Sequence, residues 1–342
     1  MPARPGDRQP VRVRANARLH FGMLDLQGTF GRRFGGIGAG VPTPSLALEA
    51  CAAGDVAVTA APGAAKQSAR ALEVARRVLQ HYGSTAGVRL HLERTIPAHV
   101  GLGSGTQLAL AVARALAELY DFPRDVVSLA AATGRGQRSA VGTWLFEAGG
   151  LVVEGGRRMG SQGAAPLLAR LAIPSDWRCV VALPRGASGT SGDDEASAFA
   201  GLPSPSDAEA ARVSHLVLMA LLPALLEDDI GAFGRALTEI QCINGKWFSS
   251  AQGGTFAPAS AQLIDRMPEW GAVGVGQSSW GPTVYGLVRG DAAAAALSTS
   301  VTTYLGDRGD VFTGPFADGG ATVRRIEAAA EHRDNRSAET RS

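Results

Sequence analysis

The sequence predicts an α+β protein built of two units. Strand-like alternation and helix-like apolar spacing interleave in both halves, and a glycine-rich turn at Gly101 to Thr106 joins a strand to an apolar helix. A stretch punctuated by proline and glycine, residues 161–175, divides the halves. With 342 residues, 45% of them apolar and 19% charged, the chain is long enough for two packed cores. The predicted units are 1–165 and 166–327, followed by a polar tail, 328–342, predicted to be disordered.

Val11 to Leu24 alternates as a strand and Ser45 to Ala60 as another, with a glycine-rich loop between them. Leu72, Val74, Ala75, Val78 and Leu79 give Ser68 to Tyr82 a helical stripe that stops at Gly83, and Val88 to Glu93 alternates again. The helix behind the glycine turn carries Leu108, Leu110, Val112 and Leu116 on its buried face. Pro123 opens a helix to Thr133, and Ala148 to Glu154 reads as a strand closed by Gly155 and Gly156. In the second half Cys179 to Leu183 is an apolar strand, followed by helices at Ala208 to Leu226, Ile230 to Asn244 and Pro258 to Arg266. Ala272 to Gly276 and Thr283 to Val288 pair around a second glycine-rich turn; a helix at Asp291 to Tyr304 and a strand at Asp310 to Pro315 complete the unit.

Composition excludes several classes of function. The net charge is +2 and no basic run or basic stripe interleaved with aromatics occurs in the body of the chain, which argues against nucleic acid as a partner. Lys66 and Lys246 are the only lysines, so the arginine excess reads as a coding bias. Cys51, Cys179 and Cys242 are odd in number and widely spaced, as expected of reduced thiols in a cytoplasmic protein. No HxxxH, HxH or CxxC spacing supports a protein-built zinc site, and His81, His91, His215 and His332 read as surface or packing residues. The N-terminus lacks a signal peptide and no apolar segment is read as long enough to span a bilayer, so the expectation is a soluble, cytoplasmic protein without a membrane partner. A homodimer is the expected assembly.

The glycine turn is suited to phosphate. Gly101, Gly103 and Gly105 free the backbone so that N–H groups along Leu102, Ser104 and Thr106 converge on an anion, and the helix behind them adds its positive end. A tight turn without a ligand is the alternative. Arg18 and His20, two apart, share one face of the first strand; His20 is either a substrate contact or a partly buried strand histidine. Lys246 is either a phosphate contact or a cap at a helix end. Gln277, Ser278 and Ser279 offer donors in the second glycine turn, and Trp247, Phe248 and Trp280 either stack on a ring or fill the core.

Three segments, ARLHFGMLD, PAHVGLGSGTQLA and GAVGVGQSSWGPTVYGLV, resemble the three motifs of the GHMP kinase superfamily in the same order. The resemblance implies an N-terminal βα domain with a left-handed crossover, a C-terminal ferredoxin-like domain and a site between them. These kinases commonly place a catalytic aspartate a few residues before a GG strand start. Residues 139–150, SAVGTWLFEAGG, contain no aspartate, and the aligned position falls near Val141 or Gly142. A kinase of this type needs that carboxylate to orient the accepting hydroxyl.

The chain is more closely similar to the β-ribofuranosylaminobenzene 5′-phosphate synthases of methanopterin biosynthesis. The similarity rests on Asp25, Leu26, Gly28, Gly31 and Arg32 of DLQGTFGR, the run Gly35 to Gly38, and the segments GLGSGTQ, PRGASGTSGDDEASAF and VGQSSWGPTVYG. It implies condensation of 4-aminobenzoate or 4-hydroxybenzoate with phosphoribosyl pyrophosphate, releasing CO2 and pyrophosphate, with Mg²⁺ held mainly by substrate phosphates. Asp25 is then expected to act on the acceptor's amino or hydroxyl group, or else to stabilise its turn, and Arg32 to bind a carboxylate or phosphate. Arg33 is read as a solvated charge, and the acidic pair Asp193 and Asp194 as a coincidental likeness to phosphoribosyltransferases. An ATP-dependent small-molecule kinase and a non-catalytic binder of phosphometabolites stay open as alternatives, as does the choice between the two benzoates.

Overall fold

The computed structural model describes residues 8–186, 201–202 and 204–326. Asp193, Asp194 and the tail at 328–342 lie outside them. The first sheet contains β1 (Val11–Asp25), β2 (Arg32–Ala53), β3 (Val56–Ala60), β4 (Gly87–Arg94), β5 (Leu151–Glu154), β6 (Arg157–Arg158), β7 (Leu167–Leu171) and β12 (Thr322–Arg325). Its main path runs β12-β1-β2-β4-β3; β5 and β6 also pair with β2, and β7 pairs with β5. Strand β3 is parallel to β4, and α1 (Ser68–His81) makes the crossover that a parallel pair requires. On this sheet pack α2 (Ser104–Tyr120) and α4 (Val141–Ala148), and α3 (Val126–Thr133) packs against α1, α2 and α4. Leu108, Leu110, Val112, Leu116 and Leu119 are all buried, so α2 is a core helix whose N-terminus alone reaches the site.

The second sheet holds β8 (Trp177–Pro184), β9 (Gly274–Gln277), β10 (Val284–Arg289) and β11 (Gly309–Pro315), all antiparallel, in the order β11-β8-β10-β9. Between β8 and β9 the chain forms α5 (Asp207–Leu216), a π turn (Val217–Leu221), α6 (Leu222–Leu226), α7 (Ile230–Gln252) and α8 (Pro258–Arg266); α9 (Asp291–Leu305) links β10 to β11. The four strands and their helices have the βαββαβ arrangement of a ferredoxin-like domain. Phe21 of β1 meets Tyr285 of β10 with ring centroids 5.1 Å apart, so the core is continuous between the two sheets.

Several elements depart from the sequence reading. The glycine-rich loop expected after the first strand is the first half of β2. A Cβ at Gly38 would lie 2.4 Å from the Leu19 carbonyl oxygen and one at Gly36 2.7 Å from Val141, so these glycines let α4 and β1 approach the strand. Strands β7 and β12, assigned by sequence to the second unit, both belong to the first sheet. The helix expected from Pro123 begins at Val126, where the Asp125 carboxylate caps the Ser128 N–H. Helix α7 runs to Gln252, placing Lys246 inside a helix and not at its end. The stretch Asp207–Leu226 is, against expectation, long and apolar enough to cross a bilayer by length and composition. In place it is amphipathic: Val213, Leu216, Val217 and Leu221 enter the core while Leu218 and Met219 face outward.

Candidate functional site

The site begins with an irregularity in β1. The pairing register with β2 shifts between His20 and Gly22, and Gly22 has φ 147°, in the range that favours glycine. Helix α7 locks this bulge from one side. Gln241 Nε2 donates to the Phe21 carbonyl (2.6 Å), Asn244 Nδ2 donates to the Met23 carbonyl (3.1 Å), and Asn244 Oδ1 accepts the Met23 N–H (2.5 Å). A polar pair three residues apart on the buried face of α7 thus supplies the hydrogen bonds that the bulged strand lacks.

The glycine turn docks on the same strand. Arg18 N–H donates to the Leu102 carbonyl (3.0 Å) and Arg18 Nη1 to the Gly101 carbonyl (3.2 Å). From the other side Ser278 donates its hydroxyl to the Gly101 carbonyl (2.7 Å) and accepts the His20 N–H (2.9 Å), while Thr283 N–H donates to the Val100 carbonyl (3.3 Å). Gly103 is the N-cap of α2 with φ 73°, and its carbonyl accepts the Thr106 and Gln107 N–H groups. Helical geometry leaves the preceding N–H groups, at Ser104 and Gly105, without an intrahelical acceptor, which is the arrangement that binds anions.

Two adjoining cavities share His20, Met23 and Ser279. The larger, about 680 Å³ including space open to solvent, is bordered by Arg18, Thr106, Arg135, Arg138 and Ser139. The smaller, about 380 Å³, is bordered by Phe248, Phe256, Trp280, Gln241, Asn244 and Gln277. One half is therefore cationic and polar, and the other is aromatic with amides at its wall. The Phe248 and Trp280 rings lie 5.2 Å apart at 57°, forming one corner of the aromatic half.

His20, on the border between the halves, is 4% exposed. Burial, with the Arg18 charge beside it, holds its pKa well below the ordinary histidine value, so the ring is neutral at pH 7. Its Nε2 lies 3.1 Å from the Ser139 hydroxyl, which also hydrogen-bonds Glu154. Glu154 is fully buried at the end of β5, and burial pushes its carboxyl up to about 7 despite hydrogen bonds from the Gly156 and Ala140 N–H groups (2.8 and 3.2 Å).

The residues named from sequence divide into groups. Arg18, His20, Thr106, Gln277, Ser279, Phe248 and Trp280 border the two cavities. Gly101, Leu102, Gly103, Ser104 and Gly105 form the turn beside them without lining either cavity. Ser278 is fully buried, and its hydroxyl ties the turn to β1. Trp247 is buried outside the cavities, and Lys246 is exposed on α7. Asp25 and Arg32 line neither cavity. Asp25 Oδ1 accepts the Gln27 and Gly28 N–H groups (2.7 and 2.9 Å), the turn-stabilising alternative, and Arg32 Nη1 donates to the Gly156 carbonyl (3.0 Å). Arg33, expected to be solvated, is exposed, and its Nε also donates to the Leu26 carbonyl (2.9 Å). At the position where the kinases carry their aspartate, Val141 and Gly142 are buried at the start of α4, and the Gly142 carbonyl accepts from Gln107 (2.9 Å).

Arg135, Arg138, Ser139, Glu154, Gln241, Asn244 and Phe256 went unrecognised in the sequence. The run GRGQRS between two apolar helices was the available signal for the first three, hidden by the abundance of arginine. No group of three or more His, Cys, Asp or Glu side chains suited to a metal occurs among the described residues. The donors around the turn suit an anion.

Residues 69–144 match the family described as GHMP kinases N terminal domain, and residues 221–305 the family described as GHMP kinases C terminal. The chain is 34% identical to the beta-ribofuranosylphenol 5′-phosphate synthase of Methanothermobacter thermautotrophicus, covering 88% of this chain and 95% of that protein. It is 32% identical to the protein of the same name from Archaeoglobus fulgidus, covering 87% and 94%. Among solved structures, homoserine kinase from Cytophaga hutchinsonii superposes with TM-score 0.70 at 17% identity, covering 92% of this chain and 98% of that one. Mevalonate kinase of L. major, in complex with R-mevalonate, gives TM-score 0.65 at 15% identity, covering 90% and 96%. At these identities the kinases establish the shared fold.

Proposed function

The chain belongs to the β-ribofuranosylphenol 5′-phosphate synthase family within the GHMP kinase fold, and we propose that it joins a para-substituted benzoate to phosphoribosyl pyrophosphate, releasing CO2 and pyrophosphate. The carrying observation is the two-part cleft. A donor with several phosphate groups suits the half bordered by Arg18, Arg135, Arg138 and Thr106, and a flat aromatic acceptor suits the half bordered by Phe248, Phe256 and Trp280. Seating the two substrates in the adjoining halves brings the ring carbon that bears the carboxylate against the anomeric carbon, and that approach is itself a large part of catalysis.

The cationic half binds the negative charge that grows on departing pyrophosphate, and the orphan N–H groups at Ser104 and Gly105 add fixed dipoles. A magnesium ion would neutralise part of that charge while bound to the pyrophosphate oxygens. The relatives are named for a ribofuranosylphenol, which favours 4-hydroxybenzoate over 4-aminobenzoate as acceptor. Asp25 and Arg32 enter this reading through the turn that begins two residues beyond Met23, a residue bordering both cavities. We read the enzyme as cytoplasmic, acting in methanopterin biosynthesis, and as a homodimer; exposed Leu218, Met219 and Leu226 support self-association, which light scattering measures.

The test is release of labelled CO2 from carboxyl-labelled 4-hydroxybenzoate, and in parallel from 4-aminobenzoate, with phosphoribosyl pyrophosphate and no ATP. Release that depends on both substrates is expected. No release, or turnover only on adding ATP, overturns the proposal.

A further inference from the structure

Glu154, Ser139 and His20 form a hydrogen-bonded chain from the sealed core to the border of the cleft. Glu154 already accepts two backbone N–H groups, Ala140 to one oxygen and Gly156 to the other. A carboxylate only accepts, so the Ser139 hydroxyl donates to it. Ser139 Oγ, its proton so committed, accepts from the Val141 N–H (3.3 Å) and from His20 Nε2–H across 3.1 Å. That order fixes the histidine tautomer and leaves Nδ1 as an acceptor, on a ring that borders both the donor and the acceptor halves of the cleft. The charged groups around the chain are all cations: Arg18 on β1, Arg135 and Arg138 on the loop before α4, and Arg157 beyond Gly156, which is engaged with Gln137. Burial, with the Arg18 charge, keeps His20 neutral; burial opposes ionisation of Glu154, and its hydrogen bonds from Gly156, Ala140 and Ser139 favour it.

We propose that this chain is a proton relay that takes up, and later returns, the hydroxyl proton of the aromatic acceptor. The inference rests on the transferase reading above. As the ring carbon bearing the carboxylate forms its bond to the anomeric carbon, the bond from that carbon to pyrophosphate breaks and pyrophosphate leaves with the electron pair. The acceptor's O–H proton passes to His20 Nδ1, the Nε2 proton moves to Ser139, and the serine proton moves to Glu154. The ring is then a neutral quinoid ketone carrying carboxylate and sugar on one carbon. The bond from that carbon to the carboxylate breaks, CO2 departs, and its electron pair restores the aromatic ring as a phenolate. The relay returns the proton to the oxygen. No proton, electron or co-reactant is left over. His20 is the catalytic residue of the three; Ser139 and Glu154 act through it.

The relay needs Glu154 ionised before each turnover, so kcat/KM of the wild type is expected to rise with pH and level off above a midpoint near 7. Measured by labelled CO2 release between pH 5.5 and 8.5, Ser139→Ala and Glu154→Gln are expected to lower kcat roughly 10- to 100-fold, within the usual range for acid–base assistance. Both are expected to lose the rising limb and to keep the KM for phosphoribosyl pyrophosphate. Ser139→Ala leaves the carboxylate in place, so it decides the matter if Glu154→Gln does not fold. A wild type that turns over with a flat profile across this window overturns the relay alone. So does a folded Ser139→Ala enzyme with wild-type kcat and profile. A wild type that releases no CO2 from either benzoate overturns the transferase reading and the relay with it.

Discussion

Gly101→Ala probes the joint between the phosphate turn and the second glycine turn. Gly101 has φ +88°, and a Cβ there would lie 2.1 Å from the Ser278 carbonyl oxygen and 3.2 Å from Gly281 Cα. Both neighbours are backbone, so no side-chain rotation relieves the overlap. The left-handed conformation costs an alanine roughly 1–2 kcal/mol, and overpacking a well-filled site typically costs about 1–3 kcal/mol more. The sum, roughly 2–5 kcal/mol, is a large share of a typical stability of about 5–15 kcal/mol. Two controls separate the terms. Gly83 has φ +62° with nothing within 4 Å of its Cβ position, so Gly83→Ala reports strain alone; Gly54, in open space without a positive φ, reports neither. Urea unfolding should rank the losses Gly54 below Gly83 below Gly101, and labelled CO2 release should fall only for Gly101→Ala, because only that substitution separates the two turns. Gly101→Ala no less stable than Gly83→Ala, with turnover kept, would refute the interlock.

Arg138→Ala and Arg135→Ala each remove a cation from the polar half of the cleft. With charged hydrogen bonds contributing about 1.5–3 kcal/mol, each should raise the KM for phosphoribosyl pyrophosphate roughly 10- to 100-fold, with that for the benzoate little changed; steady-state kinetics with each substrate varied checks this. Glu154 has its carboxyl raised from 4.5 to about 7 in the folded state. Its stabilising contribution is therefore complete below pH 4.5 and lost as pH rises through about 7, on the order of 3 kcal/mol. Urea unfolding at pH 5 and pH 8 should show the wild type losing stability that Glu154→Gln does not, and parallel pH dependence in the two would contradict the assignment. Asp25→Asn keeps an acceptor for the Gln27 and Gly28 N–H groups and should unfold within about 0.5 kcal/mol of wild type, whereas Asp25→Ala should lose roughly 1 kcal/mol. Turnover of the folded asparagine variant then separates the two roles: near-normal activity leaves Asp25 a turn residue, and a hundredfold loss restores it to the chemistry.

Much of the fold was legible because most elements are local. The stripe from Leu72 to Leu79 and the alternation from Val88 to Glu93 each report a neighbouring core, and helix α1 and strand β4 lie where those patterns place them. What was misread depends on distant partners. Gly36 and Gly38 look like a loop until Val141 and Leu19 are seen against them, and Leu167–Leu171 looks like a linker until β5 is seen beside it. A short edge strand is defined by its partner, and the chain alone does not carry that information.

The site divides along the same line. The turn at Gly101–Thr106 is contiguous, so its backbone chemistry can be read from six residues, whereas the cleft it serves is assembled from β1, α7, the second glycine turn and the loop before α4. Asp25 and Arg32 stand out in sequence because glycines surround them, and in the structure that setting makes a turn held by the aspartate itself. Glu154 ends an apolar strand with nothing to mark it. Its significance lies in being buried without a cation bonded to it and in reaching, through one serine, a neutral histidine on the border of the cleft. A buried carboxyl that structure alone explained would carry only its backbone donors, and substituting Ser139 would leave turnover untouched. The pH profile of Ser139→Ala therefore separates a structural carboxyl from one the reaction uses.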